Sequence, residues 1–279
     1  MTLAVSLMVL SAALLHALWN AVMKGAGDRA LMTGLLAVGQ FLFGLFLALF
    51  SIRMSWDAVP WLIASIVIHW GYFYLLNVAY RLGDLSLIYP ISRGLAPLLV
   101  ALGAQFWIGE VLPLYAWIGI VAISIGISIL SYPVLRGALP LGGVLAAVGV
   151  GLIVASYTLV DGIGVRASED AIAYMAWVFI GNVTVAMYVF PTRMARLRAL
   201  PMKSIALGIM GGVISGCAYG LVLYAKTLAP LGLVSALRET SVIFAAMIGV
   251  FWFGEGPRAR RMMAASIVAV GIVLIAGHR

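Results

Sequence analysis

The sequence predicts an all-α polytopic membrane protein, with ten transmembrane helices arranged as two inverted five-helix repeats. Three observations carry this expectation. Of 279 residues, 65% are hydrophobic and only 9% are charged, whereas a soluble domain is nearer half apolar and a quarter charged. So little polar surface cannot cover a water-soluble particle, which leaves the bilayer as solvent. The apolar residues fall in ten continuous runs, and a spanning helix needs roughly 20 such residues. Finally, one stretch of the first half recurs in the second half.

The runs are bounded by charges, Pro and Gly. The first, 3–23, stops before Lys24. A secretory signal opens with basic residues, which Met1 and Thr2 do not supply, so this is read as a first spanning helix, with a signal peptide as the alternative. The second, 31–51, lies between Arg29 and Arg53, and the third, 58–80, between Asp57 and Arg81. The fourth, 85–108, follows Asp84 and exits at Gly109-Glu110. The fifth, 112–132, ends at Pro133, and the sixth, 141–162, starts after Pro140. The seventh, 171–191, follows Glu169-Asp170 and ends at Pro191. The eighth, 203–225, stops at Lys226, read here as a loop residue, as is Arg166. The ninth, 231–253, exits at Gly254-Glu255, and the tenth, 259–277, stops before His278-Arg279. Many runs are apolar all round, as expected of helices surrounded by lipid or by other helices. A β-barrel would show short alternating strands instead. One cysteine, Cys217, allows neither an intrachain disulfide nor a Cys-based zinc site.

The net charge of +8 fits loop cations that orient helices and meet anionic lipid head groups, with no nucleic-acid partner. Loops after odd-numbered runs hold most of these cations, notably Arg193, Arg196 and Arg198, then Arg258, Arg260 and Arg261. The positive-inside rule then puts both termini outside.

The repeat is ungapped. Arg93 aligns with Arg238, Phe106-Trp107 with Phe251-Trp252, and Gly109-Glu110 with Gly254-Glu255, so that 85–110 matches 230–255. Gly suits a helix C′ position, and Gly-Glu reads first as an interfacial cap. Five runs per copy turn the second copy upside down. The repeats are thus 1–136 and 137–279. Inverted repeats characterise secondary transporters, whose sites lie near the midplane between the halves.

The sequence also resembles the EamA-type families of the drug/metabolite transporter superfamily. The resemblance rests on His16-Ala17-Leu18-Trp19-Asn20-Ala21, on Tyr89-Pro90-Ile91-Ser92-Arg93-Gly94 with Pro97, and on Gly109-Glu110. In the second half it rests on Tyr157-Thr158-Leu159-Val160-Asp161, Leu237-Arg238-Glu239-Thr240-Ser241 and Gly254-Glu255. It implies a ten-helix fold of two inverted repeats and transport of a small metabolite without nucleotide hydrolysis. It also implies termini inside, the opposite of the charge count.

Ionisable groups inside a membrane are costly and are functional by default. Arg93 and Arg238 sit at matching places in the fourth and ninth runs. Inversion would put them on opposite sides of the midplane, about 11 Å apart in depth at 1.5 Å per residue. Such guanidinium groups suit a carboxylate, phosphate or phosphonate, and equally suit helix locking. Glu239 would pair with Arg93 or take up a proton. His16 and Asn20 share a face, with Trp19 beside them, as a cavity wall or as helix–helix contacts. Tyr157 and Asp161 repeat that spacing, with Asp161 near a helix end. His69 lies mid-span. Tyr89, Pro90 and Pro97 are candidates to interrupt the fourth helix. Gly208, Gly212, Gly216 and Gly220 form one small-residue stripe, and Gly143, Ala147, Gly151 and Ala155 another. Both read as packing surfaces.

No GxxxxGK loop and no HExxH motif occurs. The expectation is a multi-pass protein of a bacterial inner membrane, monomeric or homodimeric, with no cofactor and no enzymatic activity. It would move an anionic or zwitterionic small molecule (an amino acid, carboxylate or organophosphorus compound) by alternating access. A membrane-embedded enzyme, a lipid-handling protein and a structural subunit are the competing readings.

Overall fold

The computed structural model describes residues 1–23, 28–82, 85–130, 141–251 and 258–276, and no strand occurs among them. Five helices form the first half: α1 Leu3–Met23, α2 Arg29–Ala48, α3 Val59–Leu82, α4 Leu85–Ile108 and α5 Leu114–Ile129. The second half contains α6 Leu141–Ala167, α7 Ala171–Gly181, α8 Val183–Ala199, α9 Met202–Leu228, α10 Leu231–Glu239, α11 Ser241–Phe251 and α12 Arg258–Ala276. With α7–α8 and α10–α11 each taken as one segment, eight segments among the described residues are long and apolar enough to cross a membrane. The shorter apolar helix α5 has 16 residues. The expected repeat boundary at 136/137, and the Trp252 and Gly254-Glu255 copy, lie outside the described residues.

Each expected run is occupied by helix. In the seventh and ninth a single turn residue, Asn182 and Thr240, tightens the helix without leaving the helical region, and the Thr240 hydroxyl donates to the Leu237 carbonyl at 2.6 Å. Beyond the seventh run, α8 kinks at Arg193 (φ −133°, ψ 20°), two residues after Pro191. Pro90 and Pro97, the expected interruptions, instead lie within the continuous helix α4. Each Pro removes one N–H, and the flanking turns carry the helix past it.

Packing pairs the helices in matching ways. Helix α3 lies along α6, and α9 along α1; α4 packs on α6, and α10 with α11 on α1. Helix α5 packs on α12, and α2 packs on α7 and α8. In lipid, apolar burial gives little drive for helices to associate, so close packing must supply it. The glycine stripe of α9 does this against α2. A Cβ on Gly212 would stand 2.8 Å from the Gly39 Cα, while Gly208 faces Leu35 and Gly216 faces Phe43. Gly151 lies against Leu95 and the Ser92 carbonyl, which seats the second small-residue stripe on α4. Large apolar side chains such as Phe106 and Leu49 point outward, 83% and 81% exposed, where lipid would surround them.

Two aspartates cap helices, one in each half of the chain. Asp28 accepts from the Leu31 N–H at 3.2 Å to cap α2, and Asp170 accepts from the Ala173 N–H at 3.0 Å to cap α7. Arg196 and Arg193 bond to Asp28, and their hydrogen bonds hold its carboxyl below the usual carboxylate range. Burial works to raise Asp170, but the Ser51 hydroxyl and the N–H groups of Ala173 and Ile172 outweigh it and leave this carboxyl low as well.

Candidate functional site

A cavity of about 290 Å³ opens between the two halves. Seven of the residues singled out in the sequence line it: His16, Trp19, Asn20, His69, Arg93, Tyr157 and Arg238. They come from α1, α3, α4, α6 and α10, so the fold brings together groups far apart in the chain. Glu239 and Asp161 lie behind the wall, both fully buried. The side chain of Tyr89 lies outside the described residues.

Glu239 organises the cationic side. Its two carboxylate oxygens each lie 3.2 Å from Arg93 Nη1, and Oε1 also lies 3.9 Å from Arg238 Nη1. The depth offset of about 11 Å expected from the helical rise does not keep the guanidinium groups apart. Long side chains bring both to one carboxylate. Of the two alternatives for Glu239, the structure has the ion pair with Arg93. The longer contact to its chain neighbour Arg238 follows from helix geometry, since adjacent residues diverge around the axis.

Arg238 is 8% exposed and faces the cavity. Its guanidinium carbon stands 5.3 Å from the centre of the Tyr219 ring, a cation–π distance. Among the described residues its N–H groups make no hydrogen bond within the protein. One carboxylate, Glu239, thus faces two guanidinium groups, and a forked donor is left pointing at the cavity.

Behind Tyr219 lies a second polar cluster. The Tyr219 hydroxyl donates to Asp161 Oδ2, and the Tyr174 hydroxyl donates to Oδ1 at 3.2 Å. Asp161 is therefore not near a helix end facing interfacial water. Helix α6 continues to Ala167, past the expected boundary, and buries it. Lys226, expected in a loop, is fully buried in α9; its Nζ donates to the Thr158 carbonyl at 3.0 Å and lies 5.5 Å from the Tyr219 ring centre. Arg166 also belongs to α6. It pairs with Glu110 at 2.7 Å and donates to the carbonyls of Lys226 and Ala229. Glu110 accepts the Leu231 N–H at 2.8 Å, so it caps α10 as well as ending α4. Gly109, at φ +74°, makes the left-handed turn that directs Glu110 there.

Aromatic rings line the middle of the cavity. The His69 and Tyr157 rings lie with centroids 4.5 Å apart, tilted 31° to each other, and Nδ1 of His69 lies 2.8 Å from the Ser65 carbonyl. In α1 the Trp19 indole N–H reaches His16 Nδ1 at 3.4 Å, and the Asn20 amide donates to the His16 carbonyl at 2.7 Å. The sequence reading missed Gln40, Asn182, Ser215 and Tyr219, which also line the cavity. The available signal was a lone amide in the middle of each of two apolar runs. Neutral side chains cost less to bury than charges, so they stand out less in an apolar run.

Eight apolar segments long enough to cross a membrane, among the described residues, mark an integral multi-pass membrane protein. Residues 141–277 match the model of the EamA-like transporter family. Over those residues the chain carries an EamA-family unit, part of the drug/metabolite transporter superfamily. A solved structure described as "Crystal structure of protein" superposes with a TM-score of 0.75 at 18% identity, covering 98% of this chain and 96% of that one. At that identity the likeness is one of fold. No curated protein matches the sequence.

Proposed function

We propose that the protein is a secondary transporter that moves a small anion through this cavity by alternating access. The observation that carries the reading is Arg238, buried at the cavity wall with its donors unused by the protein. A buried guanidinium without hydrogen-bond partners is costly, and a carboxylate, phosphate or phosphonate would satisfy it through a bidentate fork. Arg93, beside it, adds a second positive charge against the single carboxylate of Glu239.

Ten crossings in two inverted repeats, 1–136 and 137–279, supply the moving parts in this reading. The paired packing of α3 on α6 and α9 on α1, and the matching Asp28 and Asp170 caps, support it. A bacterial inner membrane is the expected location. The test is reconstitution in liposomes. Labelled short carboxylates or organophosphorus anions should move down an imposed gradient, and Arg238→Gln should abolish the flux while remaining folded. If no anion moves under any imposed gradient, the reading is wrong.

A further inference from the structure

The cavity has two chemically different walls. Arg93 and Arg238 stand on α4 and α10, which pack on each other. Gln40 on α2, Asn182 at the α7–α8 junction and Ser215 on α9 stand on the helices of another packed group. These three are joined in a relay: the Asn182 amide donates to Gln40 Oε1 at 2.9 Å, and Gln40 Nε2 donates to Ser215 Oγ at 3.2 Å. A primary amide has two N–H donors and an acceptor oxygen, and a hydroxyl has one donor. Asn182 Oδ1, the second N–H of Gln40 and the Ser215 hydroxyl proton therefore remain for a ligand, since no other described residue engages them. Amides kept only for helix packing would be satisfied by the protein. These are satisfied in part and face the cavity.

The cavity wall also has a charge asymmetry. Among its described lining residues there are two guanidinium groups and no carboxylate. Glu239 is held by Arg93, and Asp161 by Tyr174 and Tyr219. A ligand ammonium would meet like charges with no counter-charge.

Resting on the anion-site reading above, we infer that the site selects a small anion whose other end is a neutral hydrogen-bonding group, a hydroxyl above all. The anionic end meets Arg238, and the hydroxyl completes the Gln40–Asn182–Ser215 relay. The matching amino compound carries a charge that the wall opposes, and the bare alkyl anion leaves the relay incomplete. The volume of about 290 Å³ lies at the low end of small-molecule sites, about 300–1,000 Å³, so the ligand is short.

Matched ligands test this on the purified full-length protein. Affinities are measured by titration calorimetry for lactate, alanine and propionate, and for hydroxymethyl-, aminomethyl- and methylphosphonate. The hydroxy member of each set should bind about tenfold tighter than the other two, the worth of one good hydrogen bond. In Gln40→Leu and Asn182→Leu the ratio of hydroxy to bare member should fall to about one. Ser215→Ala, which removes a single hydroxyl, tests the same ratio if the leucine variants do not fold. An amino member that binds tightest, or a ratio unchanged in these variants, overturns the selectivity while leaving an anion site standing. Failure of every member of both sets to bind overturns the anion site and the inference with it.

Discussion

Glu239 faces two guanidinium groups at once, and its removal should be felt in stability before it is felt in function. Breaking a buried ion pair by deleting one partner costs about 3–5 kcal/mol. Glu239→Gln should lower unfolding stability in detergent by an amount of that order, measured by chemical denaturation. A variant as stable as wild type would mean that the carboxylate is not the keystone of the cationic wall. Asp28 tests a charge outside the membrane. Its folded pKa lies below the ordinary 3.8, so its contribution is fully present above that value and is lost as pH falls through the lower folded value. Asp28→Asn keeps a competent N-cap. The melting-temperature gap between wild type and this variant should therefore be constant near neutrality and close as pH drops below about 4. A gap independent of pH would assign the effect to something other than the carboxylate charge. At this scale the sequence was informative where burial is expensive. Arg93, Arg238 and Glu239 stood out because charges in apolar runs have a price that chance rarely meets. Gln40, Asn182 and Ser215 cost less to bury and did not stand out. Lys226 and Arg166 were misread because each sits at the end of an apolar run, where sequence alone cannot separate helix from loop.

At the level of elements, close approach of α2 and α9 rests on missing side chains. Gly212→Leu should destabilise by about 1–3 kcal/mol or more through overpacking against the α2 backbone. Gly142→Ala, whose Cβ would have Leu82 Cδ2 at 4.0 Å as its nearest atom, should be neutral or slightly stabilising. Thermal unfolding of the two variants side by side separates packing from helix propensity, and equal losses would contradict the stripe as an interface. Glu110 joins the end of α4 to the start of α10 and to Arg166 of α6. Glu110→Gln should cost about 1–3 kcal/mol, the worth of a charge-assisted bond, and a cost near zero would mean that the junction is not held by charge. The stripe could be read from four-residue spacing because helix periodicity fixes which residues share a face. The kinks were only partly legible. Pro90 and Pro97 drew attention to α4, which is continuous, while the kinked residue among the described helices is Arg193, two residues after Pro191 in α8.

For the molecule as a whole, composition and run length made the helical membrane fold legible, and the Arg93–Arg238 repeat pointed to the centre between the halves. The walls of the cavity were not legible, because they are assembled from helices whose facing was unknown until packing was seen. Two guanidinium groups against one carboxylate give the cavity wall a positive balance, which should govern what binds. A thermal-shift comparison tests it most directly, since a ligand that binds the folded state raises its melting temperature by mass action. Wild type and Arg238→Gln are screened against small carboxylates, organophosphorus anions and organic cations at matched ionic strength. Anions alone should stabilise wild type, and the shift should disappear in a folded Arg238→Gln variant. Stabilisation by organic cations, undiminished in that variant, would contradict it.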